Sequence, residues 1–230
     1  MNTIYSDGTY LDNNPNWHQE DSPWKASHIA NVLRKHGIRP SSICEIGCGA
    51  GEIVCSLANE FGDGVKLSGY DISPQAFEIC GKKQGKNVRF FQTNLLDEDI
   101  RFDVVLAIDV FEHVEDYFGF LRKLRSKGEY KIFHIPLDLS VQSVLRGSPI
   151  MKKRASVGHL HYFTEETALA TLRDTGYEVL NHCFTSGALE LPQRSWKARL
   201  MKLPRKILFS LNPTLAVRLL GGFSLLVLAR

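Results

Sequence analysis

The stretch Ser-Ile-Cys-Glu-Ile-Gly-Cys-Gly-Ala-Gly occupies residues 42–51. Its first half is apolar enough for a buried strand, and in its second half Gly47, Gly49 and Gly51 alternate with single residues. Glycine reaches backbone conformations closed to other residues and lets a ligand lie against bare main chain. Residues 52–58 then show helical apolar spacing, so the loop leads into a helix N-terminus, where unpaired N–H groups collect. The stretch therefore predicts a cofactor cradle between a strand and a helix.

The glycine spacing indicates which kind of cofactor the loop holds. A dinucleotide-binding fingerprint has two residues before its third glycine, whereas here each interval is one residue long. Asp71 lies 20 residues after Gly51, at the end of a second apolar strand predicted at 65–71. A carboxylate there can accept hydrogen bonds from both hydroxyls of a ribose. The pattern favours a nucleoside-containing cofactor, and a nicotinamide-dependent dehydrogenase is the alternative.

Apolar runs and helical patterns alternate along the chain. Strands are predicted at 43–47, 65–71, 88–93, 102–109 and 130–137, with helices from Gly51, from Pro74, near 116–124 and from Thr164 toward Gly176. Such alternation predicts an α/β fold with a doubly wound, mostly parallel sheet and helices on both faces. A sixth strand is predicted to start at Tyr177. The last apolar run, 223–228, is about half as long as a membrane span and is interpreted as a central strand.

Three features of the chain, in the order in which the family has them, resemble the class I S-adenosylmethionine-dependent methyltransferases of the small-molecule type. They are the glycine loop, Asp71 and the segment 102–114, which reads Phe-Asp-Val-Val-Leu-Ala-Ile-Asp-Val-Phe-Glu-His-Val. The resemblance extends from about Ile43 to Tyr177. It implies a Rossmann-like methyltransferase fold of seven strands, whose last strand is antiparallel and inserts beside the fifth. It also implies S-adenosylmethionine as the cofactor.

The resemblance implies a set of cofactor-binding residues in this chain. Glu45 would support the glycine loop and the methionine end of the cofactor, Asp71 would bind the ribose, and Ile72 would cover the adenine. Asn94 stands where many family members have an acidic residue, and its amide oxygen can still accept a hydrogen bond from the adenine amino group. The full predicted set is Glu45, Gly47, Cys48, Gly49, Gly51, Asp71, Ile72, Asn94, Leu95, Asp109 and Val110.

Two histidines are the candidate catalytic residues. By resemblance His113 faces the acceptor, and an imidazole with an ordinary pKa accepts a proton near neutrality, so His113 is the candidate general base. His159 and His161 close the long loop before the Thr164 helix, and strand-like alternation puts them on one side of an extended segment. One would face the acceptor while the other bonds the backbone, and His161 is the candidate. His134 is interpreted as a buried, satisfied side chain.

No metal is predicted, although one alternative stays open. In some relatives an acidic residue and a following Glu-His pair bind a divalent cation, and Asp109, Glu112 and His113 could supply such ligands. No fourth ligand is evident in the sequence. In the competing interpretation, Glu112 and His113 shape the start of a helix.

Length and composition suit one domain with embellishments. A chain of 230 residues can bury a substantial core, and its first residues lack the basic start and apolar run of a secretory signal. The five cysteines are odd in number and lack paired short spacings, which favours reduced thiols and a cytoplasmic protein. Residues 1–40 are predicted to form a leader with a helix from Ser22-Pro23, acting as a lid or covering a sheet edge. Residues 41–230 form the methyltransferase domain.

Two segments are predicted to shape the acceptor site. The connection 138–163 is long enough to be functional. The segment 194–220 is basic and helical, and Pro204 and Pro213 are predicted to break it into short helices. Eight of the 28 basic residues and none of the 25 acidic ones fall in 191–230. This segment would contact an anionic membrane surface, hold a phosphate-bearing substrate, or pack on the sheet with its charges in water.

The predicted function is methyl transfer to oxygen or nitrogen of a small-molecule acceptor. A sugar or lipid-linked precursor is favoured because basic residues gather in both acceptor-site segments. A quinone-type aromatic acceptor is the alternative within the same chemistry, and a non-catalytic cofactor-binding regulatory module is the alternative outside it. The acidic body of the chain disfavours nucleic acid as a partner. The sequence does not indicate the oligomeric state.

Overall fold

A seven-stranded sheet forms the centre of the molecule. The computed structural model describes residues 19–192 and 196–230, and the sheet order in it is β3-β2-β1-β4-β5-β7-β6. The strands are β1 Ser42–Ile46, β2 Lys66–Asp71, β3 Val88–Gln92, β4 Phe102–Ile108, β5 Gly128–Pro136, β6 Val179–Thr185 and β7 Ser224–Ala229. The first five run parallel, and β7 pairs antiparallel with both β5 and β6. The predicted doubly wound sheet, with an antiparallel last strand beside the fifth, is confirmed.

Helices cover both faces of this sheet. They are α1 Ser22–Lys35, α2 Glu52–Phe61, α3 Pro74–Cys80, α4 Tyr117–Leu124, α5 Val141–Arg146, α6 Ser148–Val157, α7 Glu165–Asp174, α8 Gly187–Glu190, α9 Trp196–Leu211 and α10 Pro213–Leu220. The predicted caps at Ser73 and Thr164 are present: the Ser73 hydroxyl accepts from the Ala76 N–H, and the Thr164 hydroxyl accepts from the Thr167 N–H. These N-caps fix the residues at which the two helices begin.

Each face of the sheet has its own apolar core. One core places residues of α1 and α2, such as Ile29, Leu33 and Leu57, against the sheet. The other surrounds Phe111 and Phe133 and includes residues of α4, α7 and α10. Because β4 is buried from both sides, its sequence is almost continuously apolar. Parallel strands with both faces covered deliver their carboxyl ends to one edge, and that edge positions the site.

Two predictions about the connections are wrong. The segment 138–163 contains α5 and α6 rather than an open loop. Ser140 and Ser143 form a reciprocal cap at the start of α5, and Gly147, with φ 63°, separates α5 from α6. In the basic segment, α9 continues through Pro204, where a break was predicted. The predicted break at Pro213 is present: α10 begins there, and the side chain of Asn212 caps it.

Parts of the predicted leader and basic segment lie outside the described residues. These are residues 1–18, including Trp17, and residues 193–195, including Arg194. The leader helix does begin at Ser22, with Pro23 in its first turn. Among residues 19–192 and 196–230, no helix combines the length and apolar character that crossing a bilayer requires.

Candidate active site

The glycine loop is held between β2 and the turn after β4. Gly47, Gly49 and Gly51 all have positive φ, at 68°, 52° and 78°. The Gly47 N–H donates to the Tyr70 carbonyl over 2.8 Å, which fixes the loop to the end of β2. A Cβ on Gly47 would lie 2.9 Å from a methyl group of Val110. The loop therefore needs glycine both for its conformation and for its close approach to Val110.

Asp71 closes the loop from the end of β2. Its Oδ2 accepts from the Gly49 N–H and its Oδ1 accepts from the Ser73 N–H, each over 2.8 Å. Burial raises the pKa of Asp71, although these backbone donors oppose the rise. A carboxylate has about four lone-pair sites, so two backbone bonds leave acceptor capacity for ligand hydroxyls.

A single cavity of ≈ 1230 Å³ runs along this edge of the sheet. Its lining includes the entire predicted cofactor set, Glu45, Gly47, Cys48, Gly49, Gly51, Asp71, Ile72, Asn94, Leu95, Asp109 and Val110. Ile72 is exposed there, as a side chain that covers an adenine would be. The Asn94 amide oxygen already accepts from the Leu96 N–H over 3.1 Å, which leaves it one further lone pair.

Unsatisfied carboxylates characterise the part of the cavity under α1. Glu45 is buried, and its Oε2 has no hydrogen-bond partner among the described residues. Burial raises the pKa of Glu45 well above its usual value. An orphaned buried acceptor next to Asp71 and Asp109 suits a ligand with a positively charged donor. The methionine end of S-adenosylmethionine has such a group, its ammonium, so the residues present fit this cofactor.

Asp109 anchors the turn that follows β4. It has φ 54°, a conformation that aspartate tolerates better than most residues, and strain of this kind is typical of functional sites. Its Oδ2 contacts Lys25 of α1 at 2.8 Å, and its Oδ1 contacts His134 Nδ1 at 2.6 Å. Burial alone would raise the pKa of Asp109, yet His134 and Lys25 hold it well below its usual value. His134 is buried and also bonds Thr185, as predicted.

A second polar cluster lies at the other end of the cavity. The ring centroids of His113 and His159 are 4.7 Å apart, and potential ligand atoms of Glu112, His113 and His159 lie within 4.8 Å of one another. His159 Nδ1 contacts Asp138 Oδ2 at 2.6 Å. Both carboxylate oxygens of Glu112 are buried without a hydrogen-bond partner among the described residues, and Oε1 lies 3.8 Å from His113 Nε2. Burial raises the pKa of Glu112 well above its usual value.

This cluster fits a divalent cation. One carboxylate and two imidazoles are ligands that zinc and related metals accept. Asp138 orients His159, and the Gly158 carbonyl accepts from the His113 ring, the second-layer partners usual for metal-bound histidines. The ligand set differs from the one considered from sequence, because both oxygens of Asp109 are engaged by Lys25 and His134.

His113 lies in the cavity as predicted, but its environment changes its chemistry. Burial, and then the neighbouring His159, lower the pKa of His113 to about 4. At neutral pH the ring is therefore uncharged, and its conjugate acid is too strong for His113 to hold a proton taken from an acceptor. A neutral imidazole is instead suited to a metal ligand or a hydrogen-bond partner.

The predicted orientations of His159 and His161 are reversed. His159 lines the cavity, whereas His161 is absent from the lining and its Nε2 contacts the Val114 carbonyl at 3.0 Å. The N–H groups of Leu160 and His161 both donate to the Glu112 carbonyl, over 2.8 and 3.1 Å. The backbone therefore turns between the two histidines, and the alternation of an extended segment does not apply. One histidine faces the cavity and the other bonds the backbone, as expected, but the candidate His161 was the wrong one.

Three further cavity residues were missed at the sequence level. The sequence placed Lys25 in a helix but did not indicate its contact with Asp109, because that contact depends on how α1 crosses the sheet. Asp138 follows the fifth strand, which is a general indication of a site residue. Arg205 lines the cavity beside Gly222, and its Nε is buried without a partner among the described residues.

Comparison with known proteins agrees with this geometry. A family model described as a methyltransferase domain matches residues 17–182. A norajmaline N-methyltransferase of Rauvolfia serpentina is 31% identical over 108 residues, covering 44% of this chain and 36% of that protein. A ubiquinone biosynthesis O-methyltransferase of Rickettsia typhi is 25% identical over 122 residues, covering 47% and 50%. The chain thus spans half or less of the length of these curated relatives.

Solved structures share the fold. Magnesium protoporphyrin IX methyltransferase from Synechocystis PCC 6803, with bound S-adenosylhomocysteine, has a TM-score of 0.60 at 18% identity, covering 90% of this chain and 81% of that one. The 1,6-didemethyltoxoflavin-N1-methyltransferase of Burkholderia thailandensis has a TM-score of 0.60 at 17% identity, covering 96% and 83%. The methyltransferase-domain model matches well over half of the present chain, which therefore belongs to that family and has the fold of a class I S-adenosylmethionine-dependent methyltransferase.

Proposed function

We propose that the protein transfers the methyl group of S-adenosylmethionine to an oxygen or nitrogen atom of a small-molecule acceptor. The observation that carries this proposal is the continuity of one cavity between the glycine loop and the Asp138–His159 pair. The glycine-loop end has the features of a cofactor cradle. The other end carries His159, which can take a proton from the acceptor. The small-molecule relatives support the same reaction class.

The cofactor supplies a methyl group on a positively charged sulfur, ready for displacement by a nucleophile. In the proposal, the glycine loop admits the methionine end against main chain, and Glu45 accepts from its ammonium group. Asp71 accepts from the ribose hydroxyls, and Ile72 covers the adenine. The protein's main contribution is then to align donor and acceptor and to exclude water.

An acceptor that attacks through O–H or N–H must lose its proton as the new bond to carbon forms and the carbon–sulfur bond breaks. We assign this proton to His159 Nε2. Asp138 engages Nδ1 over 2.6 Å, which favours the tautomer that leaves Nε2 with its lone pair. The products are the methylated acceptor, S-adenosylhomocysteine and a protonated His159, which returns its proton to solvent.

A divalent cation at Glu112, His113 and His159 is a second form of the same proposal. Two orphaned carboxylate oxygens in a buried site favour it. A cation there would lower the pKa of a bound acceptor hydroxyl. In this form His159 is a ligand, and the acceptor proton leaves through solvent. Loss of turnover on chelation, restored by zinc or manganese, would select the metal form, and activity that survives chelation would select His159 as the base.

The acceptor is proposed to carry an anionic group. Arg205 reaches the cavity with an unpartnered Nε, and Lys153 of α6 also lines it. A sugar phosphate or lipid-linked precursor, the class favoured from sequence, would satisfy both cations, and peripheral contact of segment 194–220 with a membrane would bring such a precursor to the cavity. A quinone-type aromatic acceptor bearing a carboxylate is the alternative, in line with the ubiquinone-pathway relatives.

Turnover on a substrate panel tests the proposal. The panel contains sugar phosphates, polyprenyl-linked sugars and hydroxylated aromatic acids, and the measurement is formation of S-adenosylhomocysteine. We expect turnover on an anionic member, with Arg205→Met raising KM about tenfold or more through loss of a charge-assisted hydrogen bond. An Arg154→Met variant, changed at an exposed residue outside the cavity lining, is the matched control. Cofactor binding without turnover on any acceptor would instead favour a non-catalytic regulatory module.

A further inference from the structure

Helix α9 carries an apolar stripe that faces solvent. Trp196, Leu200, Leu203, Ile207 and Leu211 follow one another at steps of four, three, four and four residues, so they share one face of the helix. Their exposed fractions are 69%, 68%, 64%, 52% and 77%. Single exposed apolar side chains are normal on proteins, but a contiguous row of large ones marks an interaction surface.

Helix α9 packs on the rest of the domain through a face other than the stripe. The opposite face packs on the core through Leu208 and Phe209, and the Phe209 ring stacks on Phe223 with centroids 5.2 Å apart. Arg205, on the same inner face, reaches the cavity. The helix thus packs through one face, while Leu200, Leu203, Ile207 and Leu211 of the stripe remain more than half exposed.

Charge indicates what covers the stripe. Arg199 and Lys206 border the stripe along one side, and Lys202 lies further round the helix, beside Phe209. No acidic residue occurs anywhere in 191–230. An exposed apolar face with a basic border is the pattern of a helix that lies in the headgroup region of an anionic bilayer. A second copy of this chain would instead bring like charges together.

Neighbouring helices extend the apolar surface. Helix α10 continues from α9 and packs on α5. Leu215 of α10 is exposed, as are Val144 and Leu145 of α5. Helices α5, α9 and α10 together therefore expose more apolar side chains than α9 alone.

We propose that α9 docks the protein on an anionic lipid surface, with the stripe inserted at headgroup depth and Arg199 and Lys206 against lipid phosphates. This deepens the proposed function, since Arg205 on the opposite face of the same helix then stands between the bilayer and the cavity. Acceptor delivery from the lipid rests on that proposed function. The docking itself requires neither cofactor nor turnover.

Vesicle flotation of the full chain, without cofactor, tests the docking. We expect binding to phosphatidylcholine vesicles that contain phosphatidylglycerol, little binding to phosphatidylcholine alone, and a marked loss on raising salt from about 0.1 M to about 0.5 M. Leu203→Asp should weaken the partition coefficient about tenfold or more. Gln84→Asp adds the same charge at an exposed residue next to β3, at the far edge of the sheet, and should bind like the unchanged protein.

Two results would overturn the proposal. One is vesicle binding that is absent, or equal for both vesicle types. The other is a concentration-dependent dimer in sedimentation that Leu203→Asp dissociates, because the stripe would then be a self-interface. Cofactor affinity measured by calorimetry on the same variants separates this inference from the proposed function. Leu203→Asp should leave that affinity unchanged, whereas failure of the chain to bind cofactor would count against the methyltransferase proposal alone.

Discussion

Glu112 is a buried residue whose pKa should make the stability of the fold depend on pH. It is buried with both carboxylate oxygens unpartnered among the described residues, and its raised pKa keeps it protonated over a wider pH range than an exposed glutamate. The folded state therefore binds a proton that the unfolded state releases. Between the unfolded pKa and the higher folded pKa, stability must fall as pH rises.

Glu112→Gln should remove this penalty. In chelator, we expect the variant to melt higher than the unchanged protein at about pH 8, by about 2–4 °C for each kcal/mol recovered, and to match it at about pH 4. Differential scanning calorimetry across the pH range measures the difference. Added zinc should raise the melting temperature of the unchanged protein but not of the variant. Parallel pH profiles for the two proteins would show that Glu112 is not the group responsible.

Replacement of Gly47 should reduce the stability of the fold. Gly47→Ala places a Cβ 2.9 Å from Val110 and forces alanine to φ 68°. We expect a loss of about 1–3 kcal/mol in the free energy of unfolding, from backbone strain and crowding together. Urea denaturation measures it. Gly64→Ala is the matched control, since its Cβ meets no atom within 4 Å, and equal losses in the two variants would contradict the account.

The sequence allowed us to predict which residues lie together at the glycine-loop end of the cavity. These residues are glycines and strand ends, and the sheet alone determines where they lie. The His159 and His161 orientations did not follow, because hydrogen bonds from two consecutive N–H groups to the Glu112 carbonyl turn the chain there. That turn is a tertiary contact across about 50 residues of sequence, and no local pattern reports it.

At the scale of elements, α1 is the clearest link between fold and site. Its Trp24 indole donates to Glu190 of α8 over 2.8 Å, and its Lys25 contacts both Asp21 and Asp109. The helix therefore closes the cavity from above the sheet. This supports the lid interpretation of the leader for the part of it that the structure describes.

Lys25→Met should loosen this closure. It removes the cation that Asp21 and Asp109 share and leaves Asp109 with His134 alone, and loss of one partner of a buried charge is costly. We expect a loss of about 2 kcal/mol or more in the free energy of unfolding, and faster hydrogen exchange in α1. Lys35→Met, at an exposed position of the same helix, is the control. Exchange in α1 that is unchanged by Lys25→Met would count against the tether.

Elements with strong caps and periodicity were predictable, and two others were not. Helix α6 has no buried residue, and its sequence therefore shows no helical apolar period. Helix α5 is only six residues long, too short for a period to be recognised, and its Val141, Val144 and Leu145 are exposed. Pro204 does not end α9, because packing of Leu208 and Phe209 holds the helix beyond the missing N–H bond, so tertiary contacts override the local signal there.

At the scale of the molecule, the parallel part of the sheet was predictable because right-handed crossovers leave few arrangements for alternating strands and helices. The place of β7 beside β5 followed from the resemblance to class I methyltransferases. The cavity was predictable only at its cofactor end. The end proposed to hold the acceptor is lined by residues of α5, α6, the α8 region and α9, which lie in separate parts of the sequence. The acceptor is accordingly the part of the function that rests on proposal.

The central claim is that the glycine loop and Asp71 bind S-adenosylmethionine. Isothermal titration calorimetry with S-adenosylhomocysteine tests it most directly, using the full chain, an Asp71→Ala variant and reduced nicotinamide dinucleotide as a competing ligand. We predict one site per chain, a loss of about tenfold or more in affinity for Asp71→Ala, and no binding of the dinucleotide. Absence of binding by the unchanged protein, or preference for the dinucleotide, would contradict the account.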